Sequence, residues 1–100
     1  MQDLTNLTDE ELMTLYQGGR ADAFEALYHR HSGRIFEYLK KKTSCELARE
    51  LLQETFEKLH KSRHKYSNQY PFLPCIFTVA RNSLFDLFKR AEFQLTQKLI

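Results

Sequence analysis

Four polar side chains near the middle of the chain fall at positions i, i+3, i+4 and i+7 of a helix, which places them on one side of it. Three carboxylates and one amide are suited to binding a basic partner rather than to catalysis. A face of this kind is most often a solvated surface, and the functional interpretation is a docking face for a basic helix. The four residues, called the acidic face below, are Glu50, Gln53, Glu54 and Glu57.

A second group of side chains combines cations, amides and aromatic rings. It consists of a loop rich in hydrogen-bonding groups, residues 66–72, and one side of the helix that follows it. Cations alone bind phosphate, whereas aromatic rings placed between cations and amides also stack unpaired bases. Together with a basic stretch over residues 58–66, this pattern predicts a surface for a single nucleic-acid strand. The predicted contact residues are Lys61, Arg63, Lys65, Tyr66, Ser67, Asn68, Gln69, Tyr70, Phe72, Arg81, Asn82, Phe85 and Lys89.

His60 and His64 are four residues apart, so a helix would bring their two imidazoles toward one metal ion. No HExxH frame accompanies them, and the interpretation favoured here is that they add to the basic surface. The chain has no Gly-rich phosphate loop and no nucleophile elbow. We therefore predict no metal site, no cofactor and no enzymatic activity.

The composition indicates one small helical domain. Of the 100 residues, 42% are hydrophobic and 28% are charged, which is typical of a soluble globular chain. Three Gly and two Pro are few for the tight turns of an all-β protein. No apolar stretch approaches the roughly 20 residues of a membrane span, and no signal-peptide pattern is visible. The two cysteines stand alone, so we expect a cytoplasmic chain with reduced thiols and no membrane contact.

Apolar spacing and capping patterns predict a compact, all-α bundle of about four helices. Thr8 and Glu11 form a capping box that starts the first helix, and Ser44 caps the third. Gly33 interrupts the second segment, which is predicted here as one long helix. The predicted helices run from Thr8 to Gly18, from about Asp22 to Thr43, from Ser44 to about Ser62 and from about Phe72 to Phe93.

The predicted domain occupies residues 8–93. Residues 1–7 are interpreted as an N-terminal tail, and residues 94–100 as a tail or the start of a linker. No internal repeat and no low-complexity run divides the chain further.

Four motifs resemble the extracytoplasmic-function (ECF) group of bacterial RNA polymerase sigma factors, in the sigma-70 family. Residues 46–56, ELARELLQETF, are similar to the polymerase-docking helix of that group. Residues 71–82, PFLPCIFTVARN, are similar to its promoter-contacting helix. The stretches 9–12, DEEL, and 23–28, AFEALY, fit the same domain. The resemblance is to domain 2 (region 2) alone.

The resemblance implies a transcription initiation factor with the region 2 type of helical bundle. The acidic face would bind the clamp helices of the largest (β′) subunit of the RNA polymerase core. The loop matching Ser67 to Phe72 would capture a base flipped out of the −10 promoter element. An anti-sigma factor is implied as a further partner. The residues that would hold the non-template strand are Arg81, Asn82, Phe85, Lys89 and Arg90.

The chain departs from the family pattern in three respects. Cys75 and His60 stand where the family often has Trp, and Glu50 stands where Asp is more usual. The helix-turn-helix domain that reads the −35 element in complete members is not found after residue 93. These departures favour an alternative, a protein-interaction module of the same fold that binds polymerase or an anti-sigma factor without reading DNA. A generic duplex-binding protein would need a recognition helix after a short turn, which the sequence lacks.

Overall fold

Helices account for every regular element that the structure describes. The computed structural model describes the backbone of residues 4–99, with the side chains of all of these except 93 and 96–99. Within that range the α-helices are α1 (Asp9–Gln17), α2 (Ala21–Lys42), α3 (Cys45–Lys61) and α4 (Phe72–Leu99), and short 3-10 helices lie at Leu4–Asn6 and Arg63–Lys65. The predicted all-α bundle of about four helices is confirmed. None of the described helices is long and apolar enough to cross a bilayer.

The helix starts follow the predicted capping patterns. Thr8 Oγ1 accepts from the backbone N–H of Glu11 at 3.1 Å, and Glu11 Oε1 accepts from the N–H of Thr8 at 3.3 Å. Ser44 Oγ accepts from the N–H of Leu47 at 3.3 Å, which caps α3. Each of these bonds satisfies a donor that has no partner within its own helix or turn.

The second helix is continuous, as predicted. α2 runs through Gly33, which is exposed, so the glycine weakens the helix by about 1 kcal/mol without opening a hole in the core. The reversal between α1 and α2 depends on Gly19, whose φ of 102° lies in the left-handed region that favours glycine.

The last helix is longer than predicted. α4 continues to Leu99 instead of ending near Phe93, because residues 94–99 include no Gly or Pro that would stop it. Every described side chain after Leu87 is exposed, so the final turns of α4 extend beyond the bundle.

Part of the predicted N-terminal tail packs on the bundle. Leu4 and Leu7 lie against the core. The guanidinium of Arg30 donates to the carbonyl of Leu7 at 3.0 Å. Residues 1–3 and residue 100 lie outside the described residues.

The core lies along α2, which packs against α1 and α3, while α3 also packs against α4. The predicted apolar stripes supply it. Its buried members include Leu12, Leu27, Ile35, Leu39, Leu51, Phe56, Ile76 and Leu84. Leu47, one turn before the buried Leu51 on α3, is exposed. This packing leaves the outer side of α3 and the loop before α4 open to solvent.

Candidate protein-docking and nucleic-acid interfaces

α3 presents the acidic face outward. Glu50, Gln53 and Glu57 are exposed, and Glu54 is half-buried. Gln53 Nε2 donates to Glu57 Oε1 at 3.4 Å. The four side chains line one shallow surface groove of about 530 Å³. The structure therefore brings all four predicted docking residues to a single surface.

Lys58 connects the acidic face to α4. Its ammonium lies 3.2 Å from Glu54 Oε1, donates to Ser83 Oγ at 2.9 Å and lies 3.6 Å from Asp86 Oδ2. Both carboxylates are partly exposed, so each ion pair contributes at most about 1 kcal/mol. The i, i+4 spacing of Glu54 and Lys58 is visible in the sequence, but the contacts to α4 depend on the packing of two helices.

An aromatic groove, which the sequence did not predict, lies beside the acidic face. It has a volume of about 660 Å³ and shares Gln53 and Glu57 with that face. Its rings pack closely, with 5.0 Å between the centroids of Tyr16 and Phe24 and 4.9 Å between those of Tyr28 and Phe56. The helical spacing of apolar residues in the sequence places these rings on apolar stripes, but it does not show that the Tyr28 side chain stays exposed. The remaining lining residues are Ala21, Arg49, Leu52, His60 and Lys61.

His60 lies in this groove on α3, whereas His64 lies in the second 3-10 helix, so the two histidines do not share one helix. Its Nδ1 forms a hydrogen bond with the hydroxyl of Tyr16. Burial raises the pKa of Tyr16, and the guanidinium carbon of Arg63 lies 5.9 Å from the centroid of the same ring. The position where the family often has Trp is therefore filled by a smaller ring that is fixed by a hydrogen bond.

The loop before α4 is held by α1. Gln17 Nε2 donates to the carbonyls of Arg63 and Tyr66 at 2.7 and 2.6 Å. Glu10 Oε2 accepts from the backbone N–H of Phe72 at 3.0 Å, at the first residue of α4. Sequence reasoning missed both anchors, because each joins positions more than 40 residues apart and no local pattern marks them.

A surface cavity of about 370 Å³ lies in this loop. Burial, and after it the negative charge of Glu10, raises the pKa of Tyr66 to about 12. The Tyr66 hydroxyl therefore stays protonated at neutral pH, and it donates to the carbonyl of Tyr70. Burial also raises the pKa of the Cys75 thiol, which stays uncharged. The cavity is lined by Lys65, Tyr66, Ser67, Tyr70, Pro71, Pro74, Cys75 and Thr78.

The structure corrects the predicted role of Phe72. Its side chain is fully buried, with its ring centroid 5.7 Å from that of His31 and 6.3 Å from that of Tyr66. A ring in this position supports the loop from beneath and is not available to a nucleic acid. Asn68 and Gln69 are exposed at the tip of the loop and do not line the cavity.

α4 presents the predicted cationic and aromatic side to solvent. Arg81, Asn82 and Lys89 are exposed, and Phe85 is 45% exposed. The guanidinium carbon of Arg81 lies 5.3 Å from the centroid of the Phe85 ring, which is a cation–π distance. Arg90 is also exposed and donates to the carbonyl of Asp86 at 3.4 Å.

The basic residues before the loop divide between two surfaces. Lys65 lines the cavity. Lys61 instead lines the aromatic groove and the groove at the acidic face. Arg63 is turned toward α3, where its Nη1 donates to the carbonyl of His60 at 2.7 Å. Lys61 and Arg63 are therefore not brought to the cavity with the other predicted contact residues.

Comparisons with known proteins agree with the motifs. The family described as Sigma-70 region 2 matches residues 27–93. The RNA polymerase sigma factor CarQ of Myxococcus xanthus is 36% identical over 75 residues, which cover 74% of this chain and 43% of that protein. The ECF RNA polymerase sigma factor BldN of Streptomyces coelicolor is 32% identical over 87 residues, covering 85% of this chain and 33% of that protein. The chain thus spans less than half the length of either relative, and no solved structure matches it significantly.

Proposed function

The chain belongs to the sigma-70 region 2 family, and from this premise we propose that it is the domain of a transcription initiation factor that docks on RNA polymerase core and captures an unpaired base of the −10 promoter element. The observation that carries the proposal is the surface cavity in a loop that α1 anchors, with the exposed Arg81 and Phe85 about one and two turns beyond its lining residue Thr78 on α4. The proposal assigns the domain no catalytic reaction.

Docking is assigned to the acidic face. The clamp helices of the polymerase β′ subunit are the partner that the family implies. A basic helix complements the two exposed carboxylates of Glu50 and Glu57 and the exposed amide of Gln53. Glu54 contributes less, because Lys58 already neutralises part of its charge.

Strand opening is assigned to the loop and α4. Flipping one base out of a duplex costs a few kcal/mol of pairing and stacking, which a cavity that binds the base repays. Exposed cations at Arg81 and Lys89 attract the phosphates of the non-template strand, and the Phe85 ring offers a stacking surface. Because only the open strand fits these groups, binding shifts the promoter toward the open form without any hydrolysis.

A second function is favoured by the aromatic groove. A protein-interaction module that binds polymerase or an anti-sigma factor without reading DNA would use this apolar surface together with the acidic face. Such a module has no need of the anchored cavity, whereas the initiation factor requires it.

Two binding assays test the proposal. Glu50→Lys with Gln53→Ala should weaken binding to a bacterial RNA polymerase core enzyme by at least about tenfold, whereas the charge-matched Glu37→Lys on α2 should not. Arg81→Ala with Phe85→Ala should abolish binding of a fluorescent single-stranded −10 oligonucleotide by the polymerase complex, with Arg34→Ala as control. Loss of polymerase binding alone, with no DNA effect from Arg81 and Phe85, would select the interaction module. Unchanged polymerase binding in the acidic-face variant would reject polymerase docking through the acidic face.

A further inference from the structure

Several carbonyl groups of the loop and of the turns beside it already accept a hydrogen bond. The carbonyls of Arg63 and Tyr66 accept from Gln17. The carbonyl of Ser67 accepts from the N–H of Tyr70 at 3.1 Å, and the carbonyl of Tyr70 accepts from the Tyr66 hydroxyl. On the α4 side of the cavity, the carbonyl of Pro74 accepts from the hydroxyl of Thr78 at 2.8 Å. The carbonyls of four lining residues, Tyr66, Ser67, Tyr70 and Pro74, therefore each have at most one lone pair left for a ligand.

Donors remain available. Among the described residues, the ammonium of Lys65 has no carboxylate within ion-pair distance, and the hydroxyl of Ser67 has no hydrogen-bond partner. The hydroxyls of Tyr66 and Thr78 have already given their hydrogens to carbonyls, so each offers only an oxygen as acceptor. The cavity thus has two donor groups, on Lys65 and Ser67, and two hydroxyl oxygens that can only accept, on Tyr66 and Thr78. Its other walls are apolar and are formed by Pro71, Pro74 and Cys75.

The four DNA bases place different demands on such a site. Adenine, cytosine and guanine each carry an exocyclic amino group whose two hydrogens need acceptors, and an unpaired one costs binding energy. Thymine has no amino group. It presents two carbonyl acceptors, one N–H donor and a methyl group.

We propose that the cavity selects thymine as the unpaired base, with Lys65 and Ser67 donating to its carbonyls, a hydroxyl oxygen of Tyr66 or Thr78 accepting from its N–H, and its methyl group lying against the two prolines and the Cys75 side chain. This inference rests on the proposed capture of a base and adds the identity of that base. The exposed ring of Tyr70 at the edge of the cavity supplies a stacking surface that any base would use, so the selection comes from the polar groups and from the methyl contact.

The test is a titration of the ¹⁵N-labelled chain with single-stranded trinucleotides of thymine, uracil, cytosine, adenine or guanine, and with an abasic trimer. The backbone amide signals of Ser67, Cys75 and Thr78 report occupancy of the cavity. Thymine should give the lowest dissociation constant from these signals. The constant for uracil should be roughly three- to fourfold higher, because one buried methyl group is lost. The constants for the three bases with amino groups should be about tenfold higher.

A variant pair tests the polar contacts. Ser67→Ala removes a donor without changing the fold of the loop, and it should reduce the preference for thymine over cytosine at least about twofold. Ser32→Ala on α2, the same substitution away from the cavity, should leave the preference unchanged.

The outcomes separate this inference from the function on which it rests. Tighter binding of another base through the same amide signals, or an unchanged preference in Ser67→Ala, would overturn the selection of thymine while base capture stands. Equal shifts with the abasic trimer, or no shift of the cavity amides with any trinucleotide, would overturn base capture itself and the selection with it.

Discussion

The side-chain amide of Gln17 lies 2.6 Å from the carbonyl oxygen of Tyr66, and the same nitrogen donates to the carbonyl of Arg63. The last residue of α1 thus fixes both the first residue of the second 3-10 helix and the first residue of the loop that forms the cavity. A loop whose backbone is fixed in advance loses less conformational entropy when it binds a ligand.

Gln17→Leu should therefore increase the mobility of the loop clearly while lowering the stability of the whole domain only modestly. Two hydrogen bonds are lost at about 1 kcal/mol each, partly offset by the new apolar contact, so the free energy of unfolding should fall by roughly 1–2 kcal/mol. Amide hydrogen exchange should accelerate over residues 66–70 while the core of α2 stays protected. Gln69→Leu, at the exposed tip of the same loop, is the control and should change neither quantity. Equal exchange rates in the two variants would show that Gln17 is not the anchor.

This relationship also marks the limit of what the sequence predicts. The helix starts, the capping box at Thr8 and the acidic face follow from neighbours within one helix, where spacing alone decides which side chains meet. The anchors Gln17 and Glu10, and the contacts of Lys58 with α4, join residues distant in the sequence and depend on how the helices pack. The same limit explains Phe72: its position in a polar, aromatic loop suggested exposure, but the packing of α4 against His31 and Tyr66 buries it.

Phe72 and Phe85 form a matched pair for testing burial against surface binding. Phe72→Ala should lower the free energy of unfolding by about 3–5 kcal/mol, because it removes a fully buried ring from the core. Phe85→Ala should lower it by less than about 0.5 kcal/mol, because that ring is 45% exposed on α4. Urea unfolding followed by circular dichroism measures both. A similar loss of stability in the two variants would contradict the assignment of Phe72 to the core and Phe85 to the surface.

Lys58→Met should alter two properties in opposite directions. The bond to the buried Ser83 hydroxyl is lost, so the free energy of unfolding should fall by about 1 kcal/mol. Glu54 also loses its cationic neighbour, so the acidic face becomes more negative, and binding to the polymerase core enzyme should strengthen, most clearly at low salt.

Lys61→Met is the control for this prediction, since it makes the same change of charge on the same helix without a contact to α4. It should strengthen polymerase binding through charge alone and leave stability within about 0.5 kcal/mol of the original. If Lys58→Met and Lys61→Met behave alike in thermal unfolding, the connection between α3 and α4 through Lys58 contributes nothing to stability.

Tyr66 should make the stability of the domain depend on pH in the alkaline range. Its pKa is raised from 10.0 to about 12 in the folded chain, first by burial and then by the negative charge of Glu10. Because the folded-state pKa lies above the unfolded one, the unfolded chain loses its phenolic proton first as the pH rises. The stabilisation is therefore complete below pH 10 and is lost as the pH approaches 12.

Urea unfolding between pH 9 and pH 12 checks this dependence. The original chain should lose stability more steeply over that interval than Tyr66→Phe, which has no proton to release. Tyr70→Phe removes a hydroxyl from the same loop and should retain the steep dependence, since the Tyr70 group bonded to Tyr66 is its backbone carbonyl and not its ring. Parallel curves for the original chain and Tyr66→Phe would mean that the hydroxyl of Tyr66 is as accessible to solvent in the folded chain as in the unfolded one.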